Sequence, residues 1–300
     1  MPIELLKASH LPNPVRVCSK VISGGLPEGD AAFAELKELG IKTVISVDGA
    51  KPDVATAKKY GLRYVHLPHG YDGIPEQRGE ELAKAVRDLP GPIYLHCHHG
   101  KHRSPAAAAT ACVLAGMLAP EQSETVLKIA GTSENYKGLF ESVRNAHRLE
   151  SAELDKLPAE FPETARLPAL AEAMVAVEHA HDHLKLLEGA KWQMIPEQPA
   201  LRPEHEALLL REHFTELLRM KEVQDPPRFR ELMADGEAKA QGLENALRGW
   251  LSASPPAAEV PAVVTKAMEQ VGANCKQCHK EFRDVPLSQK KGGRAAAPQQ

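Results

Sequence analysis

Residues 93–105 read Ile-Tyr-Leu-His-Cys-His-His-Gly-Lys-His-Arg-Ser-Pro and pass from a short apolar run into an alanine-rich stretch. A strand, a tight loop and a helix start are implied. A loop that feeds a helix N-terminus turns successive backbone N–H groups toward one spot, and the helix dipole adds positive potential there. Cys97 stands where that field begins, so its thiol is favoured as the thiolate, the attacking species. Arg103, six positions on, carries a planar fork that matches two oxygens of a phosphoryl group. Ser104 can hydrogen-bond the sulfur and help it leave. Pro105 suits a first helical turn, where its missing N–H is not needed. His98, His99, Gly100, Lys101 and His102 supply the amides of an anion cradle, and their side chains make a phosphate-friendly rim. A metal is the other use such imidazoles would have.

The run His96-Cys97-His98-His99-Gly100-Lys101-His102-Arg103-Ser104 resembles the HCxxGxxRS signature of dual-specificity and tyrosine phosphatases. The resemblance covers roughly residues 15–148. It implies Cys97 as nucleophile, Arg103 as phosphate clamp and the amides of His98 to Arg103 as the cradle. It also implies an aspartic general acid on an upstream loop, to protonate the leaving oxygen. Asp72 is the candidate, because it follows directly on an expected strand.

A second constellation stands near the C-terminus, as Cys275-Lys-Gln-Cys278-His279-Lys-Glu-Phe282-Arg283. CxxCH is the pattern of covalent haem attachment: two thiols three apart on a helix add to the vinyl groups, and the next histidine reaches the iron. A CxxC alone also fits half a zinc site or a redox dithiol, but the chain has no second CxxC and no βαβ setting here. The motif falls in the last of four helical segments, a placement that resembles cytochrome c prime. That resemblance covers about residues 165–285 and implies one covalent haem c, His279 as axial ligand and Arg283 beside the haem pocket. Met174, on the first helix of the bundle, is then the candidate sixth ligand or distal lid. His179, His181 and His183 on the same helix read as a solvated cluster. Cys18 and Cys112, in apolar runs, read as inert core thiols.

The elements that must position these residues fall into two classes. Strands are expected at 15–17, 42–47, 64–67 and 93–95, with helices at 30–39, 54–60, 76–87, 105–118 and 121–130. This is the rhythm of a mostly parallel sheet flanked by helices. A proline-bearing stretch at 151–166 reads as a linker. Helices are then expected at 167–187, 204–222, 227–251 and 260–283, a four-helix bundle. The expected organisation is therefore an α/β phosphatase-like domain at 15–150, an all-α domain at 167–285 and a disordered tail at 286–300.

Three hundred residues suit two cores. With 43% hydrophobic and 26% charged residues and a net charge of -3, no basic footprint points to nucleic acid. No apolar run is long enough to span a membrane, and the first residues lack the apolar core of a signal peptide. Covalent haem attachment nonetheless implies a periplasmic or exported protein. Together the readings describe a hydrolase that cleaves phosphate monoesters through a phosphocysteine, fused to a c-type cytochrome for electron transfer or for redox or gas-ligand sensing. The alternative is a catalytically weak anion-binding domain attached to such a cytochrome. Partners would be a phosphorylated small molecule or phosphoprotein, a redox partner or gas ligand, and a second copy through the bundle.

Overall fold

The structure, a computed structural model, describes residues 2–158, 160–253 and 259–290. The chain divides into two compact units, one of residues up to 166 together with those from 283 onward, the other of residues 167–282.

The first unit is built on a six-stranded mixed sheet in the order β1-β2-β3-β6-β4-β5. The strands are β1 Glu4–Leu5, β2 Val15–Arg16, β3 Val21–Gly24, β4 Thr43–Ser46, β5 Arg63–His66 and β6 Ile93–His96. The first three pair antiparallel, and β3, β6, β4 and β5 run parallel. β4 and β6 are buried along their whole length, Thr43, Ser46 and His96 included, as befits strands of a parallel sheet covered on both faces. Among the described residues seven α-helices accompany the sheet: α1 Gly29–Glu38, α2 Val54–Lys59, α3 Glu76–Asp88, α4 Arg103–Leu114, α5 Ser123–Ala130, α6 Lys137–Asn145 and α7 Ser151–Lys156. α4 is buried from Arg103 to Val113, and its alanines let neighbouring elements approach on every side.

Three expectations change here. β3, the strand beside β6, was not anticipated, because Val21-Ile-Ser-Gly is a short run ending in glycine. The stretch 151–166 is no free linker. Lys84 Nζ donates to Leu154 O at 2.9 Å, and His66 N donates to Pro162 O at 2.8 Å, so its backbone is tied to the first unit. Of the tail expected from residue 286, residues 291–300 lie outside the described residues, whereas Leu287–Gln289 forms a turn in the first unit.

The second unit contains, among the described residues, four α-helices: α8 Ala169–Gly189, α9 Pro203–Arg219, α10 Pro227–Leu251 and α11 Ala262–Cys278. α8 packs on α9, α9 on α10 and α10 on α11. Leu184, Leu210, Leu243 and Val271, one from each helix, belong to one apolar core. α11 passes into a π turn over His279–Arg283.

Candidate active site

Cys97 follows β6 directly, and α4 begins at Arg103, so the connecting loop is six residues long. The loop is held from outside by its carbonyls. His98 O accepts from Leu26 N at 2.9 Å, Gly100 O from Asn13 Nδ2 at 2.9 Å, and Lys101 O from Thr132 Oγ1 at 2.6 Å. In a trans peptide the following N–H points the opposite way, so the amides of His99, Lys101 and His102 turn away from those supports and toward the loop's concave side. Gly100 has φ +73°, and a Cβ there would lie 2.5 Å from Gly25 N. Only glycine fits both demands.

Within the loop, Cys97 is 3% exposed. Its Sγ lies 3.3 Å from Ser104 Oγ, which donates its proton to Gly24 O at 2.8 Å. The sequence expectation that Ser104 stands by the sulfur therefore has a definite geometry: one hydroxyl proton serves either the carbonyl or a thiolate.

Arg103, 5% exposed, is gripped on two sides. Its Nη2 donates to Asp48 Oδ2 at 3.0 Å, and its guanidinium lies 4.4 Å from the centre of the Tyr71 ring. Asp48 is itself buried just beyond β4. Burial would raise its carboxyl, but the Arg103 charge and the Ala50 amide more than offset this and hold it down to about 2. Neither Asp48 nor Tyr71 was found by reading the sequence. Asp48 could have been suspected only from its place after a buried strand parallel to β6.

Three imidazoles near the site, those of His96, His69 and His102, are lowered chiefly by burial. Burial holds His96 and His69 down to about 4. His69 Nδ1 lies 2.8 Å from Gly70 O and so carries the proton. His102 is also lowered to about 4, by burial and then by the neighbouring His99, Lys101, Arg103 and Arg283 charges. The His102 ring centre lies 4.5 Å from that of Tyr136, and the His98 and His99 rings meet edge to face at 4.4 Å.

Asp72 sits on the loop that carries Tyr71, so its backbone is tied to the Arg103 side of the site. The loop is pressed against α6: Ile74 N donates to Ser142 Oγ at 2.8 Å, and a Cβ on Gly138 would fall 1.8 Å from Asp72 O. Residues 283–290 fasten it further. Leu287 N donates to Asp72 O at 2.9 Å, Lys290 Nζ donates to Asp72 Oδ2 at 2.6 Å, and Ser288 Oγ donates to Glu141 Oε2 at 2.7 Å. Arg283 belongs to this segment. Its guanidinium lies 4.1 Å from the Tyr71 ring centre and bonds both oxygens of Asp284, at 2.7 and 3.4 Å. Its guanidinium also lies 5.9 Å from the Tyr136 ring centre.

In the second unit, Cys275 and Cys278 are thiols three apart on α11, and His279 opens the π turn. Cys278 is buried with Met268 and Val271 in the apolar core, against which Cys275, Met174 and Phe282 also pack. The Phe282 ring centre lies 5.0 Å from that of Phe229. Two thiols on one helical face, an imidazole next in sequence and apolar walls are a donor set that fits covalent haem. On α8, His183 Nδ1 is engaged by Glu206 Oε2 at 2.9 Å, and burial lowers His181 to about 4.

No family model and no curated protein matches the chain. Solved structures similar to its N-terminal half include phosphatases. TpbA of P. aeruginosa is 22% identical, covering 52% of this chain and 92% of its own, with a TM-score of 0.41. TpbA in complex with pTyr gives 21%, 52%, 94% and 0.40. The core catalytic domain of the PP-IP phosphatase SIW14 from S. cerevisiae gives 15%, 46%, 87% and 0.37.

Proposed function

We propose that the first unit hydrolyses phosphate monoesters through a phosphocysteine on Cys97. The observation that carries this reading is the grouping of Cys97, Ser104 and Arg103 at the mouth of α4, with Arg103 oriented by Asp48 and Tyr71. The Cys97 thiolate attacks phosphorus while two phosphoryl oxygens lie on the Arg103 fork; the P–S bond forms and the ester P–O bond breaks. Asp72 protonates the departing oxygen, for which its carboxyl must first leave Lys290. Water then attacks phosphorus and the P–S bond breaks, releasing inorganic phosphate. Ser104 turns its proton from Gly24 O to the sulfur and stabilises the leaving thiolate. Phosphate release from p-nitrophenyl phosphate that disappears in Cys97→Ser is the expected result. Release that survives the substitution would overturn the assignment.

A second reading, an anion-binding unit that does not turn over, is favoured by one observation, the engagement of Asp72 by Lys290. Tight vanadate binding without turnover, in the wild type and in Lys290→Ala alike, would establish it.

For the second unit we propose one haem c, held through Cys275 and Cys278 with His279 as axial ligand and Met174 as sixth ligand or distal lid. The donor set and its apolar surroundings support this. When bound, haem would supply one-electron exchange and a site for a small diatomic ligand. The Cys278 side of α11 and Phe282 would exclude water. A haemochrome band that remains with the protein after acid-acetone extraction is expected, and transfer of the colour to solvent would refute covalent attachment. A periplasmic or exported location follows from that reading.

A further inference from the structure

Two cysteines that the proposed chemistry does not use face each other. Cys18 lies half-buried in the turn between β2 and β3, and Cys112 lies fully buried near the end of α4. Their sulfurs are 3.9 Å apart although the residues stand 94 positions apart in sequence. Packing explains Cys112 as a small apolar filler. It does not explain a second thiol aimed at Cys112 from a turn that solvent reaches.

The surroundings separate the two thiols chemically. Cys18 accepts a hydrogen bond from Cys112, is pushed up by burial, and is brought down again by the turn amides of Lys20 and Val21 and by the Lys20 charge; the outcome is about 6, below the ordinary 9.0. Lys20 is fixed there by donation of its ammonium to Arg87 O at 2.7 Å. Cys112 moves the other way, through the same hydrogen bond and through burial. The reachable thiol, Cys18, is therefore the more acidic of two sulfurs that lie 3.9 Å apart. This is the arrangement of an attacking and a resolving thiol.

We propose that Cys18 and Cys112 form a redox-active dithiol that closes to a disulfide by exchange with a small disulfide, Cys18 attacking and Cys112 resolving. In the first step the Cys18 sulfur bonds one sulfur of the reagent and the other leaves as thiolate. In the second, Cys112 yields its proton to that thiolate and attacks the Cys18 sulfur, and the reagent's second half leaves as thiolate. Two electrons pass to the reagent, which ends as one thiol, protonated by Cys112, and one thiolate, which takes its proton from water. Closure would shorten the 3.9 Å approach of the sulfurs to an S–S bond of about 2.05 Å.

The bridge would tie α4, which begins with Arg103, to the turn leading into β3, which pairs with β6 ahead of Cys97. It would therefore clamp the two elements that flank the phosphate loop, and the long closed loop makes a stabilising effect on the unit expected.

The test uses the full chain incubated with oxidised glutathione, quenched with iodoacetamide, and mapped by non-reducing digestion and mass spectrometry. A Cys18–Cys112 linked peptide is expected, absent in Cys18→Ser, and a glutathione adduct on Cys18 is expected to accumulate in Cys112→Ala. The oxidised wild type should melt higher by on the order of 5 °C. In the reduced native protein iodoacetamide should label Cys18 and spare Cys112, a measurement that needs no variant to fold. Failure of the linked peptide to form under native conditions at any glutathione concentration would overturn the proposal, as would equal labelling of both thiols.

Discussion

The phosphate loop and the CxxCH segment are both short sequence motifs, but they are built in opposite ways. Around the loop the supports are remote: Arg103 donates to Asp48, 55 positions away, Ser104 donates to Gly24 O, 80 away, and the Gly100 carbonyl accepts from Asn13, 87 away. Cys275, Cys278 and His279 owe their relative placement to one helix and the turn that ends it. A site with long-range supports is rigid and exposed to distant mutation. A site set by one helix is insulated from it.

The largest effect that would test this contrast is expected at Asp48. Asp48→Asn keeps the shape but leaves the buried Arg103 charge without its counter-ion, which costs on the order of 3 kcal/mol of stability. A clamp that drifts by about an ångström loses roughly 100-fold in kcat/KM toward an aryl phosphate. Arg228 pairs with Glu281 beside the CxxCH motif proposed to hold haem, but that pair is exposed. Arg228→Ala should leave the yield of covalent haem within about twofold, since exposed pairs contribute little. Comparable losses in the two variants, by steady-state kinetics and haemochrome yield, would erase the distinction.

The same contrast explains what the sequence made legible. The chemical groups of both motifs, the parallel strands β4 to β6 and all four late helices were readable, because each depends on local spacing: a loop into a helix, a buried apolar run, an apolar stripe at helical period. Asp48 was not, since nothing in Ser46-Val-Asp-Gly marks that aspartate among its neighbours until β4 is set beside β6. Tyr71 was quoted only as a neighbour of Asp72, although its ring lies against both Arg103 and Arg283. Arg283 was assigned by its place after the CxxCH motif, and its contacts with Tyr71 and Tyr136 depend on residues more than 140 positions away, which local spacing cannot show.

Acid should separate the two units next. His96, His69 and His102 in the first unit are each lowered to about 4, and His66 is lowered as well, all chiefly by burial. Their unfolded counterparts titrate near 6.5. The unfolded chain therefore binds more protons between those values, so the stability these groups contribute is complete above about pH 6.5 and is lost as pH falls toward 4. In the second unit, burial lowers His181 in the same way. Urea titrations of the full chain at pH 7 and 5 should show the first unit's midpoint falling further than the second's. Parallel movement would mean that the site imidazoles do not set the acid response.

The smallest effect is expected at Lys290, and its sign is the informative part. An ammonium has only protons to give, so the Asp72 oxygen it holds is an acceptor and carries no proton for a leaving group. If the segment at 283–290 restrains the acid in this way, Lys290→Ala frees the carboxyl and raises kcat several-fold. The gain should be confined to alkyl phosphates, whose leaving oxygens need a proton, and should be small for p-nitrophenyl phosphate, whose leaving group does not. A fall in rate for both substrates would instead mean that Lys290 and Leu287 place Asp72 correctly, and that the loop's dependence on distant residues extends to the last described residue of the chain.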